Sequence, residues 1–191
     1  MFSDDRGVFS PKQVEQLLKP INPKRVLQAQ GHSHVSQQDI MAHFSRMFGF
    51  GNFDIEVVKV ELVFEEPRIK DSGELTGRWD VCYRALVRLS IRNEVGQTVC
   101  VIENGSTGDA QNQTRAGGHD LAYKSAISLS IKRAAIALGD QFGLSLYNKG
   151  QLTALVKATL VGTEVAPADV QEGIEQQVAL GNDEIEREVS A

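Results

Sequence analysis

The chain has 191 residues, a formal net charge of -5, and 41% hydrophobic, 24% charged and 6% aromatic residues. This composition excludes the collagenous, low-complexity and disulfide-scaffold classes, and the length fits one domain with an appendage. The N-terminus has no basic stretch leading into an apolar one, and no apolar run approaches the roughly 18 residues of a spanning helix, so a cytoplasmic protein with no membrane partner is expected.

In chain order, Ser10 before Pro11 marks a helix start, with Val14, Leu17 and Leu18 as its apolar face and Pro20 and Pro23 as its stop. Ser36 with Asp39 resembles a capping box, and Ile40, Phe44, Met47 and Phe48 follow at helical spacing up to Gly49. From Phe53 to Glu66, Val58, Val60, Leu62 and Phe64 alternate with Lys59, Glu61 and Glu65, which predicts a strand. The next segment puts Trp79, Val81, Tyr83, Ala85, Val87, Leu89 and Ile91 on one face. Asp80, Cys82, Arg84, Leu86, Arg88, Ser90 and Arg92 fall on the other. Turn residues 93–96 and a returning strand from Gln97 to Glu103 complete an antiparallel meander.

Residues 104–118 are polar and glycine-rich, and read as a mobile strand-to-helix connection. A long helix is predicted from about Asp120 to Phe142, with an apolar stripe of Ile127, Ile131, Ala134, Ala135, Leu138 and Phe142. Lys124, Ser128 and Lys132 climb the edge of that stripe, and Arg133 lies a further turn of about 100° round the helix. The fold class is therefore α+β: a three-stranded antiparallel β-meander packed on a long α-helix, a β-β-β-α core, with short helices before it. Residues 1–150 form this domain, and 151–191 are expected to be a helical and acidic tail. Within the tail, residues 165–191 hold seven carboxylates against Arg187 alone, a net of -6, which leaves the first 164 residues at +1. Such a tail would recruit a partner, compete with an anionic ligand or aid solubility.

Chemistry-bearing motifs are scarce. The glycine-rich segment lacks the Gly-Lys-Ser/Thr of a phosphate loop and the GxGxxG spacing, so no nucleotide cofactor is expected. His32, His34, His43 and His119 form neither HExxH nor a helical i, i+4 pair, which predicts no metal. Cys82 and Cys100 lack CxxC spacing and read as reduced core thiols, and no GxSxG is present. No enzyme is predicted, although an unrecognised α+β enzyme would be marked by a pocket lined with titratable groups. The segregated cations remain: Arg84, Arg88 and Arg92 share a strand face, while Lys124, Lys132 and Arg133 share a helix side. Solvated surface charge is one reading and the footprint of a phosphate backbone is the other. Few aromatics interleave with these cations, so stacking on single-stranded bases is not indicated.

The stretch "HDLAYKSAISLSIKRAAIALGDQFGLSLYNKG", residues 119–150, resembles the signature helix and turn of the Rad fifty-two family of single-strand annealing proteins, in its short phage or bacterial form. There a Lys-Arg pair precedes Gly-Asn/Asp-x-x-Gly and Leu-Tyr-Asp/Asn-Lys. "SRMFGFGNF", Ser45 to Phe53, is similar to the same family's segment before the first strand, and the likeness covers about residues 17 to 150. The resemblance implies a ring of β-β-β-α subunits with single-stranded DNA in a positively charged groove. It further implies ATP-independent annealing of complementary strands in recombination and repair, without a cofactor, in a bacterial or phage-infected cytoplasm. Lys132 and Arg133 match the pair that contacts the DNA backbone, and Arg25 falls at a basic groove position. His34 stands where the family has a groove aromatic, and Ile136 where it has a further arginine. Arg84, Arg88, Arg92 and Arg115 are candidates for a second DNA surface on physical grounds, and Lys124 extends the helical cations. The implied partners are single-stranded DNA, further copies of the chain, and a single-strand-binding or recombination protein at the acidic tail. The alternative is an oligomeric protein-interaction module without DNA binding.

Overall fold

The computed structural model describes residues 7–29 and 31–159, so the acidic run at 165–191 lies outside the described residues. Helix α1 (Pro11–Leu17) begins with a reciprocal cap. Ser10 Oγ accepts from the Gln13 N–H at 3.4 Å, and Gln13 Oε1 accepts from the Ser10 N–H at 3.0 Å. A hairpin that the sequence reading missed follows, β1 (Leu27–Ala29) antiparallel to β2 (His32–His34). Its strands are too short to carry a period. Helix α2 (Gln37–Phe48) is capped by Ser36 Oγ on the Asp39 N–H at 3.1 Å, and it buries Ile40, His43, Phe44 and Phe48.

The sheet runs β3 (Phe53–Ile69), β4 (Leu75–Arg92) and β5 (Thr98–Gln113), all antiparallel in the order β3-β4-β5, which is the expected meander. On the central strand, Val81, Ala85, Val87, Leu89 and Ile91 are buried as the alternation predicts. β3 departs from its regular pattern. Register shifts fall between Val57 and Lys59 and between Leu62 and Phe64, and Val57, Val58, Leu62, Val63 and Phe64 are all exposed. Helix α3 lies over β4 and β5, so Val57 and Leu62, opposite Val87 and Tyr83 on the helix side of the sheet, have no cover among the described residues.

Two boundaries need correction. The glycine-rich segment is not a mobile connection: it continues β5 to Gln113. Its glycines serve close packing, since a Cβ on Gly108 would stand 2.3 Å from the backbone nitrogen of Ala126, and one on Gly105 would stand 2.8 Å from the carbonyl oxygen of Ala85. Helix α3 (Arg115–Ile136) accordingly starts earlier than Asp120, with Thr114 Oγ1 accepting from the Gly117 N–H at 3.2 Å. It also ends before Phe142, because Gly139 takes φ of 100° and turns the chain into short 3-10 segments at Asp140–Phe142 and Leu144–Tyr147.

The core joins α2, β4, α3 and the turn after it. Phe44 contacts Phe142 at 5.0 Å and Phe53 at 5.3 Å between ring centroids, and Phe48 stacks on Phe142 at 6.2 Å. The buried Ser130 hydroxyl lies 3.0 Å from the Ala85 carbonyl oxygen, tying α3 to β4. Residues 151–159 contain no helix, and the remainder of the expected helical and acidic tail lies outside the described residues. Asp140 Oδ2 accepts from the Leu155 and Val156 N–H groups at 3.0 and 3.1 Å and holds the 151–159 segment on the domain. Among the described residues no helix is long and apolar enough to cross a membrane.

Candidate nucleic-acid interface

Three elements meet around Lys132. Helix α3 contributes Leu129, Lys132 and Ile136 from one face, β2 contributes His32 and His34, and the turn after α3 contributes Tyr147 and Lys149. They enclose a groove of about 600 Å³ over an apolar floor that includes Ile40, Phe142 and Leu146. The Lys132 ammonium makes no ion pair or hydrogen bond among the described residues. Its aliphatic stem lies in the groove wall, and burial pushes its ammonium below the ordinary lysine value. A partly desolvated cation without a counter-charge, in an open groove, favours an anionic ligand. Sequence reasoning had placed Lys132 and His34 here, but not Tyr147 or Lys149. The one available signal for those two was the Leu-Tyr-Asn-Lys ending, which carried no role.

The other expected site residues do not converge on this groove. Arg133 is exposed and without an ion pair among the described residues, on the neighbouring helix flank, where its carbonyl oxygen accepts from Asn104 Nδ2 at 3.3 Å. Lys124, two turns earlier, pairs with Asp120 at 2.7 Å. Arg25 is a packed strut, its side chain only 14% exposed: it donates to Asp39 at 2.8 Å and to Gln141 Oε1 at 3.1 Å, behind the groove floor.

The arginine face of β4 has the predicted placement, but its charge is matched across the strands. Arg84 meets Glu61 at 2.7 Å, Arg88 lies between Glu56 at 2.9 Å and Glu103 at 2.6 Å, and Arg92 pairs with Asp54. Arg115 pairs with Glu65 and lies 4.9 Å over the Trp79 ring. Hydrogen bonds from Lys59 and then Arg84 hold the Glu61 carboxyl below the usual range, and the Arg115 contact does the same for Glu65. A cationic strand face is thereby converted into a charge-balanced one.

Behind the floor, His43 sits with its Nε2 3.4 Å from Arg25 Nη1 and its Nδ1 3.5 Å from Arg46 Nε, its ring edge against Phe142. Burial, then the positive charges of Arg25 and Arg46, outweigh Asp39 and the Gln141 contact and push this imidazole from 6.5 down to about 4. Because the folded-state value is depressed, the unfolded chain takes up the proton first. The contribution is fully present above about pH 6.5 and is lost as pH falls towards 4, roughly 3 kcal/mol in all. Urea unfolding at several pH values across that window should show this slope, and His43→Gln should flatten it. An identical slope in the variant would contradict the assignment.

An antiparallel meander crossed by one long helix, with an additional helix and hairpin closing a lysine-lined groove, defines an α+β protein built on a β-β-β-α core. Comparison with protein families identifies its lineage: the model of the Rad52/22 family double-strand break repair protein matches residues 11–163, and the chain belongs to this family. Membership supports a role in DNA double-strand break repair and recombination. No curated protein matches the chain.

Proposed function

We propose that the chain binds single-stranded DNA in the Lys132 groove and anneals complementary strands without ATP. The observation that carries this reading is the half-buried ammonium of Lys132, unpaired among the described residues, in an open groove of about 600 Å³. A backbone phosphate supplies the missing counter-charge, with Lys149 in the same groove and Arg133 on its flank. The charge-matched arginines of β4 do not enter this reading.

Pairing of complementary strands is downhill by about 1.4 kcal/mol per stacked step, so an annealing protein need only hold one strand and neutralise its phosphates. One lysine groove per protomer is a weak site, and repetition around an oligomer makes it a strong one. Val57 and Leu62 of β3, exposed on the helix side of the sheet and without cover among the described residues, support such self-association, because exposed apolar surface of this kind marks contact surfaces. A protein-interaction module would use the same β3 surface and leave Lys132 idle.

Titration of a fluorescent oligothymidylate at about 50 and 200 mM salt separates the two readings. DNA binding through phosphates predicts affinity that falls steeply with salt. An interaction module predicts no affinity at either concentration, and that result would overturn the proposal.

A further inference from the structure

We infer that Tyr147 is a stacking platform for a base of the single strand, adjacent to the phosphate held at Lys132. The inference rests on the DNA-binding reading above and extends it from phosphate to nucleobase.

Tyr147 is 66% exposed, while Ser145 and Leu146 on the same 3-10 segment are buried. The turn around it is fixed by hydrogen bonds on both sides. Leu146 N–H donates to the Gly143 carbonyl at 3.1 Å, Asn148 N–H to that of Ser145 at 3.0 Å, and Gly150 N–H to that of Leu146 at 3.0 Å. It is also pressed against the opposite wall: a Cβ on Gly150 would stand 3.1 Å from Ser33 Oγ, and one on Gly143 would stand 3.3 Å from Val35 Cγ2. The ring is thus carried on a rigid mount without a ring partner or hydrogen bond among the described residues.

The remaining exposed or half-buried rings are engaged or elsewhere. Tyr83 and Tyr123 contact each other edge-on at 5.9 Å, Tyr83 also bonds His119 at 2.8 Å, and Trp79 lies under Arg115. Phe50 is exposed but does not line the groove. Tyr147 alone among these rings shares the groove with Lys132, a cation unpaired among the described residues. A nucleotide presents the matching pair, a phosphate for the ammonium and a flat base for the phenol ring, and base–aromatic stacking is tolerant of sequence. The aromatic contact that the linear pattern of the helix and strand cations did not indicate comes from a turn beyond the helix, brought beside Lys132 by the reversal at Gly139.

The test compares a short oligothymidylate with an abasic oligodeoxyribose phosphate of equal length, using the full chain and its Tyr147→Ala, Tyr147→Leu and Tyr147→Phe variants. Stacking predicts that alanine and leucine weaken binding of the base-bearing strand by about fivefold to a hundredfold. The abasic strand and the salt slope should be unaffected, and phenylalanine should bind like the parent. Equal losses on both strands, or no loss on either, would overturn the platform while leaving the phosphate groove standing. Failure of the parent chain to bind either strand would overturn both readings.

Discussion

Replacing Lys132 and Arg133 together by alanine is expected to weaken single-strand binding by at least about a hundredfold and to abolish strand annealing at moderate salt. Each charge-assisted contact to a phosphate is worth about 1.5 to 3 kcal/mol, and the loss is repeated in every protomer that the strand crosses. The dependence of log affinity on log salt should fall by about 0.7 per lost contact. The fold should not suffer. Lys132 is a partly desolvated ammonium without a counter-charge among the described residues, so removing it relieves an unfavourable term rather than breaking a bond. Lys132→Met, which keeps the stem and drops the charge, is therefore expected to unfold at the same urea concentration as the parent or higher, while losing DNA. A double alanine variant that anneals at the parental rate would remove Lys132 and Arg133 from the site.

Gly108→Ala is expected to be the most damaging single methyl addition in the sheet. The added Cβ would stand 2.3 Å from the nitrogen of Ala126 and 2.7 Å from the carbonyl carbon of Ser125, both backbone atoms of α3 that no side-chain rotation can move aside. The helix must lift from β5, loosening the contacts of Ala122, Ala126 and Ser130, which are fully buried. A loss of about 3 kcal/mol or more is expected, within the range of severe overpacking. The urea midpoint measures it, with the exposed neighbour Thr107→Ala as a control expected to stay within about 0.5 kcal/mol of the parent. A Gly108→Ala midpoint as close to the parent as the control would mean that α3 does not rest on β5 at this point.

The same glycine marks where the sequence could be read and where it could not. The period of two from Trp79 to Ile91 is a property of one strand, so it was legible without knowledge of any neighbour, and so were the caps at Ser10 and Ser36. Gly105 and Gly108 have the composition of a loop, and only the β4 backbone against Gly105 and the helix against Gly108 explain why they belong to a strand. The arginine face has a similar history. Glu61 stands opposite Arg84 and Glu56 opposite Arg88 through the β3–β4 register, while Glu103 stands opposite Arg88 through the β4–β5 register. Pairings set by register between distant segments leave no local trace in the chain. Lys132 was legible from helical spacing and motif together. Its separation from Arg25, and its meeting with Tyr147 and Lys149, depend on the 3-10 turns after Gly139 and on the hairpin β1–β2, which have no periodicity to read.

The most direct test is the rate at which the full chain pairs two complementary oligonucleotides in the absence of any nucleotide, measured at about 50 and 200 mM salt. The proposed function predicts acceleration over the spontaneous rate, weaker at the higher salt. No acceleration at either salt, or acceleration that appears only when ATP is added, would contradict it.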